Sequence, residues 1–71
     1  MKQRAVIPID GRRDHAQVCA LERAIQGLPG VTMAFVSPLT EQAFVVYHSH
    51  QLDKHRLELL VRQIAQQLPT R

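Results

Sequence analysis

Gly11-Arg12-Arg13-Asp14-His15-Ala16-Gln17-Val18-Cys19-Ala20-Leu21-Glu22-Arg23-Ala24-Ile25-Gln26-Gly27-Leu28-Pro29-Gly30-Val31 is the stretch whose reading decides the fold. Val18, Leu21, Ile25 and Leu28 recur three and four residues apart, which puts them on one side of a helix. Asp14 is a good N-cap residue, and Gln17 three positions later completes a capping-box pattern. Leu28-Pro29-Gly30 stops the helix, since proline cannot continue it and glycine accepts the backbone turn that follows. The spacing therefore predicts an amphipathic helix over residues 14–27.

Working outward, Ala5-Val-Ile-Pro-Ile9 is a short β-rich run closed by the Asp10-Gly11 turn signal. Val31 to Val36 reads as a second strand, Ser37-Pro-Leu-Thr-Glu41 as a turn, and Gln42 to Tyr47 as a third strand in a hairpin with the second. His48-Ser-His-Gln-Leu-Asp53 reads as a loop with Asp53 capping a second helix, whose apolar positions are Leu57, Val61, Ile64 and Leu68 and which ends before Pro69. The order β-α-β-β-α predicts an α+β, ferredoxin-like split β-α-β sandwich. If Ile7, Ile9, Ala34, Val36, Ala43 and Val45 face the helices, the other sheet face carries Val6, Met33, Phe35, Phe44 and Val46. An apolar patch of that size on an open face points to docking against another domain or a second copy.

Composition bounds the function. Seventy-one residues with 45% hydrophobic content suit one small domain, near the lower size limit for a single core. One cysteine forms no internal disulfide, which favours a reducing compartment; the expected location is cytoplasmic. Met1-Lys-Gln-Arg4 lacks the apolar run of a secretory signal, and no run approaches the ~20 apolar residues of a membrane span. The net charge of +3 comes from scattered basic residues, and few aromatics accompany them, so nucleic acid is not an expected partner. No catalytic constellation is present: there is no Gly-rich phosphate loop, no paired carboxylates, and no required base beside Cys19.

Leu21-Glu22-x-Ala24-Ile25-x-x-Leu28-Pro29-Gly30-Val31 and Ala43-x-Val45-x-Tyr47 are similar to patterns of the heavy-metal-associated domain. That is the small module of copper chaperones and of metal-pumping P-type ATPases. Ile9-x-Gly11 resembles the strand end ahead of the family's metal loop, with Arg12 replacing its methionine, and His48 stands where the family has aspartate. The resemblance implies a fourth strand after the second helix, yet only Pro69-Thr-Arg71 follows, so that strand is missing or truncated. It also implies a Cys-x-x-Cys clamp, whose positions fall here on Asp14 and Gln17. Without paired thiolates, linear capture of Cu(I) at that loop is not expected.

Two other sets offer ligands. His15 and Cys19 lie one helical turn apart, and the helical wheel puts Glu22 with them on an outward face away from Leu21, Ile25 and Leu28. Imidazole, thiolate and carboxylate together suit zinc, cobalt or cadmium. His48, His50 and His55, with Asp53 among them, form the densest histidine group, suited also to nickel and copper(II). The topology sets that group at the end opposite the first helix's N-terminus. The resemblance then implies a metal-binding or regulatory domain, not itself an enzyme. It would open a longer metal-trafficking protein or Zn/Co/Cd-type P-type ATPase, with a divalent transition metal, zinc foremost, as ligand and the ATPase's membrane-embedded part as partner. The alternative is a docking module that has lost metal binding and pairs, with itself or another protein, through its open sheet face.

Overall fold

In the computed structural model, residues 1–9, 11 and 13–68 are described. Asp10 of the expected turn, Arg12 and the Pro69–Arg71 tail lie outside them. The elements follow the predicted order: β1 (Lys2–Pro8), α1 (His15–Gln26), β2 (Val31–Ser37), β3 (Gln42–His48) and α2 (Lys54–Gln67). The strands form one antiparallel sheet in the order β1-β3-β2. β1 begins three residues earlier than its apolar run, because Lys2, Gln3 and Arg4 gain ladder partners in His48, Tyr47 and Val46. His48 likewise closes β3 instead of opening a loop.

Alternation along each strand sends one set of side chains under the helices. Ala5, Ile7 and Ile9, Ala34 and Val36, and Ala43, Val45 and Tyr47 are buried against Val18, Leu21 and Ile25 of α1 and Leu57, Val61 and Ala65 of α2. Among the described residues, none forms a covering layer on the opposite face. Val6, Met33, Phe35 and Phe44 stay exposed there, with the two phenylalanine rings 6.3 Å apart. Among the described residues no helix is long and apolar enough to cross a membrane.

Both helices start as expected. Asp14 Oδ1 accepts from the Gln17 N–H at 2.8 Å while Gln17 Oε1 accepts from the Asp14 N–H at 2.9 Å, a complete capping box. Asp53 caps α2 by accepting from the Arg56 N–H at 3.3 Å. At the far end of α1 the chain turns through Gly30 at φ +91°, a left-handed conformation suited to glycine.

Candidate metal site

The β1-to-α1 connection, where the resembled family carries its clamp, is held by protein groups. Glu41, itself at φ 55° in the β2–β3 turn, accepts from the Ile9 N–H through its backbone carbonyl (2.9 Å) and from the Gly11 N–H through Oε1 (3.1 Å). The Arg13 guanidinium donates to the Gly11 carbonyl at 3.1 Å and reaches the Ala65 carbonyl at 3.4 Å, in the last turn of α2. A cation placed there suits the negative end of that helix. Asp14 and Gln17 spend their polar atoms on each other's backbone. With the capping box closed, the Asp14 and Gln17 atoms that hold it are not open to a metal ion at this loop.

α1 lies over β2, the edge strand away from β1, and runs antiparallel to it. Its flank reaches the strand's outward backbone groups one after another. The Gln26 side-chain amide donates to the Ala34 carbonyl at 3.1 Å, and Glu22 Oε2 accepts from the Val36 N–H at 2.8 Å. These contacts cover an edge that would otherwise present unpaired groups. They also refine the wheel-based placement of Glu22: it shares the cleft with His15 and Cys19, but the edge strand beneath α1 gives its Oε2 a backbone donor.

One step further along, Cys19 and His15 stand beside Pro38, which has no N–H to offer. Here the flank opens into a cleft of about 370 Å³ lined, besides His15 and Cys19, by Arg13, Asp14, Val18, Glu22, Phe35, Val36 and Pro38. Cys19 is half-buried and His15 exposed, and Cys19 Sγ lies 3.6 Å from His15 Nε2. A tetrahedral zinc ion at about 2.0–2.1 Å from nitrogen and about 2.3 Å from sulfur sets those two atoms about 3.5 Å apart, whereas linear coordination would need about 4.3 Å. The 3.6 Å separation is a thiol–imidazole hydrogen-bond contact, and two ligands of a tetrahedral ion would stand at a similar distance.

The histidine group at the other end is only partly assembled. The His48 and His50 rings approach to 5.7 Å, and His48 Nδ1 is shielded from solvent with no hydrogen-bond partner. His50 Nδ1 lies 3.2 Å from the Met1 nitrogen. Asp53 is committed to its capping bond, and His55 is exposed on the first turn of α2. Among the described residues, no three of the His, Cys, Asp and Glu side chains come together as a metal-holding group. Each end therefore supplies a pair of side-chain donors. Arg13, Glu41 and Pro38, which shape the first end, carried no sequence signal of those roles.

No protein-family model matches the chain, and no curated protein matches it by sequence. Solved structures share its fold. At 20% identity it is similar to a CopZ metallochaperone (TM-score 0.75, 86% of this chain and 91% of that one). At the same identity it is similar to the N-terminal soluble domains of Bacillus subtilis CopA (TM-score 0.79, 90% of this chain). A third, again at 20%, is oxidized MerP from Ralstonia metallidurans CH34 (TM-score 0.77, 100% of this chain and 96% of that one). The chain spans 44% of the CopA structure, less than half its length.

Proposed function

We propose that this chain is a metal-handling domain that binds a borderline divalent cation through His15 and Cys19 and exchanges it with a protein partner. The reading is supported by the contact of Cys19 Sγ with His15 Nε2 at 3.6 Å, a hydrogen-bond distance that two ligands of a tetrahedral ion could keep with little rearrangement. Imidazole and thiolate together favour zinc, cobalt or cadmium over Cu(I). The cargo is thereby displaced by one to two residues along α1 from the clamp position, which serves here as helix cap. The fold shared with a metallochaperone and with soluble regions of a P-type ATPase supports trafficking as the setting, with an ATPase as the partner. His48 and His50 are a secondary pair, and Glu22, Asp53 and His55 stay outside the coordination shell.

Cobalt(II) or zinc titration of the reduced chain tests this. Cys19→Ser and His15→Ala should each weaken binding by roughly a hundredfold, since a four-ligand zinc site distributes ~12 kcal/mol over its ligands. His48→Ala with His50→Ala should leave that affinity unchanged. If the histidine double variant abolishes binding while Cys19→Ser does not, the assignment is wrong.

A second reading keeps the domain as a docking module. It rests on the uncovered sheet face, where Phe35 is 57% and Met33 60% exposed beside Val6 and Phe44.

A further inference from the structure

We propose that the outer edge of β1 takes up an acidic extended segment of a partner protein as an added strand, with carboxylates opposite Lys2 and Arg4. The inference stands apart from the metal reading, since none of its residues is a candidate ligand. The sheet order β1-β3-β2 leaves the outer side of β1 without a neighbouring strand among the described residues, and no strand follows α2 there. Two bonds at the ends of the β1–β3 ladder fix which backbone groups point outward: the Ser49 N–H donates to the Met1 carbonyl, and the Ile9 N–H to the Glu41 carbonyl. In the register that sets Lys2 opposite His48 and Pro8 opposite Gln42, the odd-numbered residues of β1 therefore bond to β3. Lys2, Arg4 and Val6 turn both N–H and C=O to the open side, and Pro8 adds a carbonyl. Proline thus occupies the kind of position an edge strand can give it. A row of such groups is a template for a further strand.

The side chains say what that strand must carry. Lys2, Arg4 and Val6 are exposed on the open sheet face, so an added strand sets every second side chain beside two cations. Opposite charges on neighbouring strands attract and like charges repel, which calls for carboxylates there. A second copy of the chain fits badly. Antiparallel self-pairing matches outward residues with outward residues, so it either opposes cation to cation among Lys2 and Arg4 or puts Pro8 on a rung where it has no N–H to give. The intervening side chains of the added strand turn toward α2. At the Pro8 end they meet a cavity of about 650 Å³ lined by Pro8, Ile9, Arg13, Arg62, Ala65, Gln66 and Leu68. Its Ile9, Ala65 and Leu68 wall suits an aliphatic side chain, and its two guanidinium groups extend the positive edge. Glu58, one turn before Arg62 on the same flank of α2, is outnumbered by Lys2, Arg4 and Arg62. The partner segment therefore alternates acidic with aliphatic residues.

An NMR titration of the isotope-labelled full chain, in chelator, with a blocked peptide alternating glutamate and valine over about six residues tests the proposal. The amides of Lys2, Arg4 and Val6 should shift and gain protection from hydrogen exchange, while those of Gln3, Ala5 and Ile7, already in the β3 ladder, keep theirs. Lys2→Glu combined with Arg4→Glu should weaken the peptide about tenfold and leave the melting temperature unchanged, both positions being exposed. Val6→Pro deletes one outward N–H without removing a bond to β3, and should weaken the peptide with the charges intact. A peptide alternating lysine and valine that binds equally well overturns the proposal, as does failure of the glutamate peptide to bind at millimolar concentration. Binding that survives the double charge variant but is lost in Phe35→Ser with Phe44→Ser puts the peptide on the sheet face and overturns it too. Protection of the Lys2, Arg4 and Val6 amides before any peptide is added means that the chain covers its own edge, and has the same consequence.

Discussion

Replacing Asp14 with Ala separates a structural from a metal-binding use of the start of α1. In the structure the Asp14 carboxylate accepts from the Gln17 N–H at 2.8 Å, and Gln17 returns the bond at 2.9 Å. Loss of an N-cap side chain costs about 0.5–2 kcal/mol. Gln17 keeps its bond to the residue-14 backbone N–H, but the substitution also removes a carboxylate from the helix N-terminus, so the upper half of that range applies, about 1.5 kcal/mol. In a domain of this size 1 kcal/mol moves the melting temperature by about 4–8 °C, so a fall of roughly 6–12 °C is expected. Asp14→Asn keeps the acceptor and should lose only a few tenths of a kcal/mol, the share owed to charge at the helix N-terminus. Gln17→Ala should cost less than Asp14→Ala, and the double variant less than the sum, because both singles break one reciprocal unit. Far-UV circular dichroism during urea and thermal unfolding, in chelator, measures all four proteins. An Asp14→Ala change below about 0.3 kcal/mol in metal-free conditions would refute the reasoning, since a capping box of this geometry cannot then be holding α1.

Glu22→Ala leaves the Val36 N–H without its acceptor at an edge strand; a loss of about 1.5–3 kcal/mol is expected, with faster hydrogen exchange at that amide. Gly30→Ala forces a side chain onto φ +91° and sets its Cβ 3.1 Å from Leu52 Cβ, so destabilisation of about 2 kcal/mol is expected by urea unfolding. Phe35→Ser with Phe44→Ser removes exposed surface; stability should change by less than about 1 kcal/mol, while any metal-independent self-association seen by light scattering at high concentration should fall. If that association is unchanged, the sheet face is not a docking surface. Restoring Cys at both Asp14 and Gln17 should lower the metal-free melting temperature about as far as the Asp14→Ala, Gln17→Ala double variant, and metal should recover part of it.

The features legible in the sequence were those set by neighbours close along the chain. Asp14 and Gln17 are three residues apart, so their reciprocal bonds follow from helix geometry alone, as does the meeting of His15 with Cys19. The two faces of the sheet were legible for the same reason: alternation is local, and burying Ile7, Val36 and Val45 leaves Val6, Phe35 and Phe44 outside. Glu22 shows where this stops. A helical wheel states which residues share a flank but not what lies beyond it, and that depended on β2 being an edge strand beneath α1. Glu41 had no signal either, since its role requires the β2–β3 turn to fold back on the end of β1 and adopt a left-handed backbone.

The same topology explains why the candidate donors sit where they do. Along α1, Gln26, Glu22 and Cys19 face Ala34, Val36 and Pro38 in turn. The first two meet a backbone carbonyl and a backbone N–H, and their polar atoms are used in covering the edge. The third shares its cleft with Pro38, a residue without an N–H, and the thiol's hydrogen-bond contact is with His15 one turn back, 3.6 Å away. Pro38, the residue after β2, thus withholds an N–H at the next rung, where the proposed cation site would lie. Pro38→Ala, which restores an N–H at that rung, should weaken metal binding with both ligands intact if the new donor hydrogen-bonds the thiolate and lowers its basicity. Metal titration of that variant against the unchanged chain decides it, and equal affinities would mean that the proline only ends the strand.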